Sequence, residues 1–149
     1  MKNAELRYMG GLSFIGKAGS NHWVALDSHI EGLLPAAATS PKELLLLAVG
    51  GCTGMDMASL LNKRRVPFRK LELTLAAEEA VEHPRVFTRI DLTYKIEGEN
   101  VPVPEIERAI KMSQDKYCSV SAMVRKACPI HWTAELNGQK VLSGSGVGV

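Results

Sequence analysis

The chain reads as an α+β fold of largely antiparallel strands around one long apolar helix, in the order β-β-β-α-β-β-α-α-β. Three observations predict it. Residues 41–63 are apolar on nearly every face of a helix, so protein or lipid must surround them. The runs on either side alternate apolar and polar residues at the strand period of two. Gly, Asn and Pro clusters then join neighbouring runs as hairpins. At 149 residues the chain is one domain, residues 1–149, long enough for a modest core. Its 46% apolar content is that of an ordinary soluble globular protein, and a net charge of +2 is too slight for a nucleic-acid partner.

Glu5 to Met9 and Leu12 to Lys17 form a hairpin about Gly10-Gly11, and Gly19-Ser20-Asn21 turns into a third strand, His22 to Leu26. His29 to Thr39 has no period and reads as a loop, of a length that often serves substrate binding. The helix follows from Pro41 to Lys63, with Ser40 as N-cap, Pro41 at the first helical position and Glu43 completing a capping box. Its apolar run carries Asp56 and three glycines, short of the roughly 20 clean residues of a membrane span. Phe68 to Glu79 and Arg85 to Glu97 alternate as a long hairpin over Ala80–Pro84. Pro104 opens a helix with Ile106, Ala109 and Ile110 on one face, running to about Lys116. Tyr117-Cys118-Ser119 breaks it, and Ser119 or Ser121 caps a short helix to Lys126. Ile130 to Leu136 is the last strand, Asn137-Gly138 a turn, and the glycine-rich end from Leu142 to Val149 is expected to fray.

The N-terminus has no apolar core, so no signal peptide is expected and the location is read as cytoplasmic. Cys52, Cys118 and Cys128 are then thiols and not a disulfide framework. Cys118 has the better local setting for a thiolate, at a helix start with Lys116 before it and Arg125 and Lys126 after it. Cys52 lies mid-helix with Asp56 four residues on, on the same face, and a carboxylate there disfavours a thiolate. Two inert core thiols and a redox pair are both open on residue chemistry alone. Cys118, Cys128 and His131 lack the second tight pair of a zinc site, so no metal is expected. Lys63-Arg64-Arg65 with Arg69 and Lys70 reads as a solvated helix end and strand start, and Cys128 as structural.

The stretch Ser-Pro-Lys-Glu-Leu-Leu-Leu-Leu-Ala-Val-Gly-Gly-Cys-Thr, Ser40 to Thr53, resembles the central-helix motif of the OsmC/Ohr family. Lys116-Tyr117-Cys118-Ser119-Val120-Ser121 resembles that family's second cysteine site, and the element order fits along the whole chain. The resemblance implies an intertwined homodimer with paired central helices, sites at the interface, and thiol-dependent reduction of organic hydroperoxides without a bound cofactor. It makes Cys52 the peroxidatic thiol, oxidised to sulfenic acid, and Cys118 the resolving thiol, with an external dithiol as reductant. Peroxidase members carry an acid directly after the motif's proline and an arginine from the N-terminal hairpin. Here Lys42 holds the first position, Glu43 lies one residue on, and the hairpin offers Arg7 and Lys17. Lys42 is therefore a candidate source of positive charge, with Glu43 and Asp56 as further supporting candidates.

The leading expectation is a peroxidase acting in oxidative stress defence. The alternatives are a non-catalytic protein that binds a small ligand and keeps its cysteines for structure, and a thiol that forms adducts with electrophiles without resolving them.

Overall fold

Ser40 starts the longest element because three local contacts converge there. Its amide donates to Glu43 Oε2 (2.7 Å), the Glu43 amide donates to Ser40 Oγ (3.3 Å), and the Leu44 amide donates to the Ser40 carbonyl (3.0 Å). This reciprocal cap, with Pro41 behind it, launches α1, Pro41–Lys63, over the span expected from sequence. The capping contacts also hold the Glu43 carboxyl below its ordinary pKa, the Ser40 amide contributing most. The structure is a computed structural model that describes residues 1–29 and 36–146. It comprises two compact units, Met1–Leu45 and Leu46–Val149.

In the first unit β1 (Ala4–Gly10), β2 (Ser13–Ala18) and β3 (Val24–Leu26) form an antiparallel three-stranded sheet in that order. Its two hairpin cations are engaged within it. Arg7 and Lys17 both pair with Glu5, and both lie over the Trp23 ring, at 4.9 and 5.0 Å. Asp27 ties the ends of the following loop together: its carboxylate accepts from the Ser28 and Ala37 amides, and its own amide donates to the Thr39 carbonyl. Of the loop expected over His29–Thr39, residues 30–35 lie outside the described residues.

The second unit is built on the sheet β4-β5-β6-β7, comprising β4 (Lys70–Glu79), β5 (Phe87–Glu97), β6 (Ile130–Leu136) and β7 (Gln139–Gly146). The outer pairs are antiparallel and the central β5–β6 pair is parallel. Between β5 and β6 run α2 (Val103–Met112), a π-helical turn (Ser113–Tyr117) and α3 (Ser119–Val124). One sheet face supplies Ile90, Leu92, Tyr94, Ile96, Ile130 and Ala134 to the core, where Val49, Met57 and Leu61 of α1 and Ile106 and Ile110 of α2 meet them. Arg64, just past α1, forks onto Glu105 at the start of α2.

Four expectations change. The two long strands start later than expected, at Lys70 and Phe87, and Val86 lies outside β5 and exposed. The helix after Pro102 ends at Met112, because the π-helical turn replaces its last turn. The basic cluster is ion-paired as well as solvated, Arg69 with Glu97 and Lys70 with Glu72 and Glu97. The tail to Gly146 is not frayed but forms β7. Asn137 and Gly138, both at positive φ, turn it back onto β6. Its glycines are there for close approach: a Cβ on Gly144 would sit 2.4 Å from the Trp132 ring, and one on Gly146 2.7 Å from the Arg125 side chain.

The helix α1 has two unlike sides. Val49, Gly50, Thr53, Met57 and Leu61 are buried. Gly50 and Gly54 permit this close seat on β4, since a Cβ would stand 2.7 Å from Leu75 at the first and 3.3 Å from Leu73 at the second. These two glycines therefore serve the packing of α1 on the sheet. On the other side Leu47 and Met55 are 62% and 75% exposed, and a Cβ on Gly51 would meet nothing within 4 Å. By length and composition alone α1 could also cross a membrane, although Asp56 and the three glycines interrupt its apolar run, and 28% of its most apolar stretch is buried among the described residues.

Candidate redox site

Cys118 owes its position to the π-helical turn. The Cys118 amide donates to the Ser113 carbonyl (2.8 Å), one residue farther back than an α-helix allows. The extra residue leaves Cys118 extended (φ −71°, ψ 94°) as the N-cap of α3. Its sulfur does the work expected of Ser119 or Ser121, accepting from the Ser121 amide at 3.3 Å while its S–H donates to Ser121 Oγ at 3.0 Å. Burial pushes this thiol's pKa up, the Ser121 contacts oppose the rise, and neighbouring Cys52 adds to it. The thiolate setting expected from nearby cations is therefore absent. Lys116 lies over the Tyr117 ring at 5.5 Å, and Arg125 donates to the Ser121 and Gln114 carbonyls.

Cys52 and Asp56, one turn apart on α1, meet Cys118 across this junction. The two sulfurs and an Asp56 carboxylate oxygen all lie within 4.8 Å of one another. Cys118 is 2% exposed and Cys52 half-buried, so Cys52 is the more accessible of the two sulfurs. Among the described residues no other trio of such ligands comes within this reach, and the weighed set of Cys118, Cys128 and His131 does not assemble. Cys128 belongs to the apolar core, where burial raises its thiol pKa.

Behind Asp56 lies a polar chain that sequence reasoning missed. Ser113 Oγ donates to Asp56 Oδ2 (2.9 Å); Thr53 Oγ1 is 2.8 Å from Ser113 and 2.7 Å from the Tyr94 hydroxyl. Each hydroxyl has one hydrogen, so with the Ser113 proton on Asp56 the donations run from Tyr94 to Thr53 to Ser113 to the carboxylate. The Gln114 amide donates to Thr53 (3.2 Å) and Tyr94 (3.0 Å), while its Oε1 is buried without a partner among the described residues. Desolvation pushes the Tyr94 phenol up to about 12, so it stays a neutral donor. A signal for this chain existed: Thr53 and Ser113 are small polar residues at positions where the buried faces of α1 and α2 continue.

The remaining candidates lie elsewhere. Glu43 is committed to the helix cap. Lys42 is exposed, and ten residues of continuous helix separate it from Cys52 along the axis by about 15 Å.

A sequence profile described as OsmC-like protein matches residues 34–133. The Escherichia coli K12 protein YhfA is 35% identical over 133 residues, covering 89% of this chain and 96% of YhfA. The chain belongs to the OsmC-like family. Among solved structures, a hypothetical protein from Aquifex aeolicus VF5 is 29% identical with a TM-score of 0.75, covering 92% of this chain and 98% of its own. An organic hydroperoxide resistance protein from Elizabethkingia anophelis, with thiocyanate bound, has a TM-score of 0.69 at 16% identity over 92% of this chain and 96% of its own, a likeness of fold. Within the family fold, this member's thiol pair is joined by Asp56 and the Ser113–Thr53–Tyr94–Gln114 chain behind it.

Proposed function

We propose that the chain is a homodimeric thiol-dependent peroxidase that reduces organic hydroperoxides. The observation that carries the reading is the meeting of Cys52 and Cys118 sulfurs from two different elements within 4.8 Å. The fold likeness to a hydroperoxide resistance protein supports the substrate class. The Cys52 thiolate attacks the outer peroxide oxygen, the O–O bond breaks, and the alkoxide takes a proton and leaves as alcohol. Cys52 is now a sulfenic acid. The Cys118 sulfur attacks it, water departs, a disulfide forms, and an external dithiol returns both thiols. The bare side of α1 supports the dimer: Leu47, Gly51 and Met55 recur at four-residue spacing and form one apolar stripe for a second copy.

Mixing the reduced protein with an alkyl hydroperoxide tests the reaction. Loss of two thiols per chain, with a Cys52–Cys118 disulfide in the peptide map and none in Cys52→Ser, is the expected result. A peroxide-treated protein with neither disulfide nor sulfenic acid rejects the proposal. The raised pKa and full hydrogen bonding of Cys118 favour a second reading, a non-catalytic small-ligand protein with structural thiols. That reading requires Cys52→Ser to retain its ligand.

A further inference from the structure

The same cluster has a second chemistry. We propose that the reduced chain is a binding site for one borderline-soft divalent metal ion, zinc above all, held by Cys52 Sγ, Cys118 Sγ and an Asp56 carboxylate oxygen. Zinc takes sulfur at about 2.3 Å and carboxylate oxygen at about 2.0–2.2 Å, which puts ligand atoms roughly 3.5–3.8 Å apart around a tetrahedral ion. The three atoms already lie within 4.8 Å of one another, so closure requires a contraction of only about 1 Å. Two thiolates and a carboxylate select zinc and its relatives over magnesium or calcium, which prefer all-oxygen sets.

Two further features fit a metal site. Cys52 and Asp56 are at i and i+4 on α1, so adjacent helical turns present two ligands to one point. The outer contacts that orient ligands are also present: Ser113 Oγ donates to Asp56 Oδ2, and the Ser121 amide donates to Cys118 Sγ. The half-buried side of Cys52 leaves the fourth position to water. A loaded pair has no free sulfur for peroxide, a consequence that alone rests on the function proposed above.

The test needs no peroxide. Reduced, chelator-treated protein is titrated with Co²⁺, the thiolate-to-cobalt charge-transfer absorbance is followed, and Zn²⁺ is then added as competitor. The expected result is saturation at one ion per chain, displacement by Zn²⁺, and loss of the band in Cys52→Ser and in Cys118→Ser. Ser113→Ala weakens binding roughly tenfold through the outer contact, Asp56→Asn weakens it further, and Cys128→Ser leaves it intact. Thermal unfolding of each variant checks that it is folded. A reduced wild-type protein without the band, a band that survives Cys52→Ser, or affinity unchanged in Asp56→Asn overturns the site. Failure here leaves the peroxide reaction standing, and failure of the peroxide reaction leaves the titration unaffected.

Discussion

The two sides of α1 are made of the same kinds of residue and do opposite things. Toward the sheet, Val49, Met57 and Leu61 are fully covered and Gly50 and Gly54 let β4 come close. Away from it, Leu47 and Met55 stand exposed around an open Gly51. Cys52 and Asp56 occupy the seam between them, both half-buried. Composition therefore does not say which side of an apolar helix its own chain covers. Cys52 sits where coverage by one chain stops, which is where a small molecule can arrive, with the buried Cys118 behind it.

Substitutions on the two sides separate their roles. The largest effect is expected for Met57→Ala, which empties a fully buried position at a cost of about 2–5 kcal/mol. Met55→Ala leaves the fold of the single chain in place and, on the proposed dimer, raises the dissociation constant. Urea unfolding with sedimentation at matched concentrations reads both, and equal unfolding losses would erase the distinction between the sides.

The glycines give a smaller but sharper contrast, because the sign itself is informative. Gly50→Ala drives a methyl against Leu75 and costs about 1–3 kcal/mol, the flexible leucine tip keeping it toward the lower end. Gly51→Ala meets nothing within 4 Å among the described residues and by helix propensity alone would stabilise by roughly 0.8–1 kcal/mol. A second copy packed there reverses that sign. The dimer reading predicts that Gly51→Ala weakens association; a more stable variant with unchanged association argues against the stripe as the interface.

The smallest effect is expected where the covered side is pinned by charge. Arg64 holds the Glu105 carboxyl below its ordinary value. A depressed carboxyl contributes stability that is present above its unfolded pKa and lost as pH falls through the folded value. Glu105→Gln should therefore lower stability slightly at neutral pH and flatten its loss in the acid range, at and below the ordinary carboxylate value of 4.5, where variant and parent converge. The pair is partly exposed, so salt should mute the difference. A change confined to alkaline pH would contradict this assignment.

What the sequence made legible was local. Ser40, Pro41 and Glu43 set the start of α1 within four residues of one another, and the helix bounds followed. Alternation found β4 and β5, starting each two residues too early. The strand β7 was hidden because its glycines look like a loose tail until Trp132 and Arg125 are placed against them. The π-helical turn leaves no periodic trace, so small polar residues on buried helix faces were the only sign of the chain from Asp56 through Ser113 and Thr53 to Tyr94, whose bonded pairs are 41 to 60 residues apart in sequence. Cys52 and Cys118 were legible through their motifs, whereas the burial that raises the Cys118 pKa and the Ser121 cap that opposes the rise were not.

The most direct measurement is peptide mapping of the reduced protein after one equivalent of alkyl hydroperoxide. The account predicts a disulfide joining Cys52 to Cys118 with Cys128 still a free thiol. Cys52 and Cys118 recovered as unmodified thiols while peroxide remains unconsumed would contradict it.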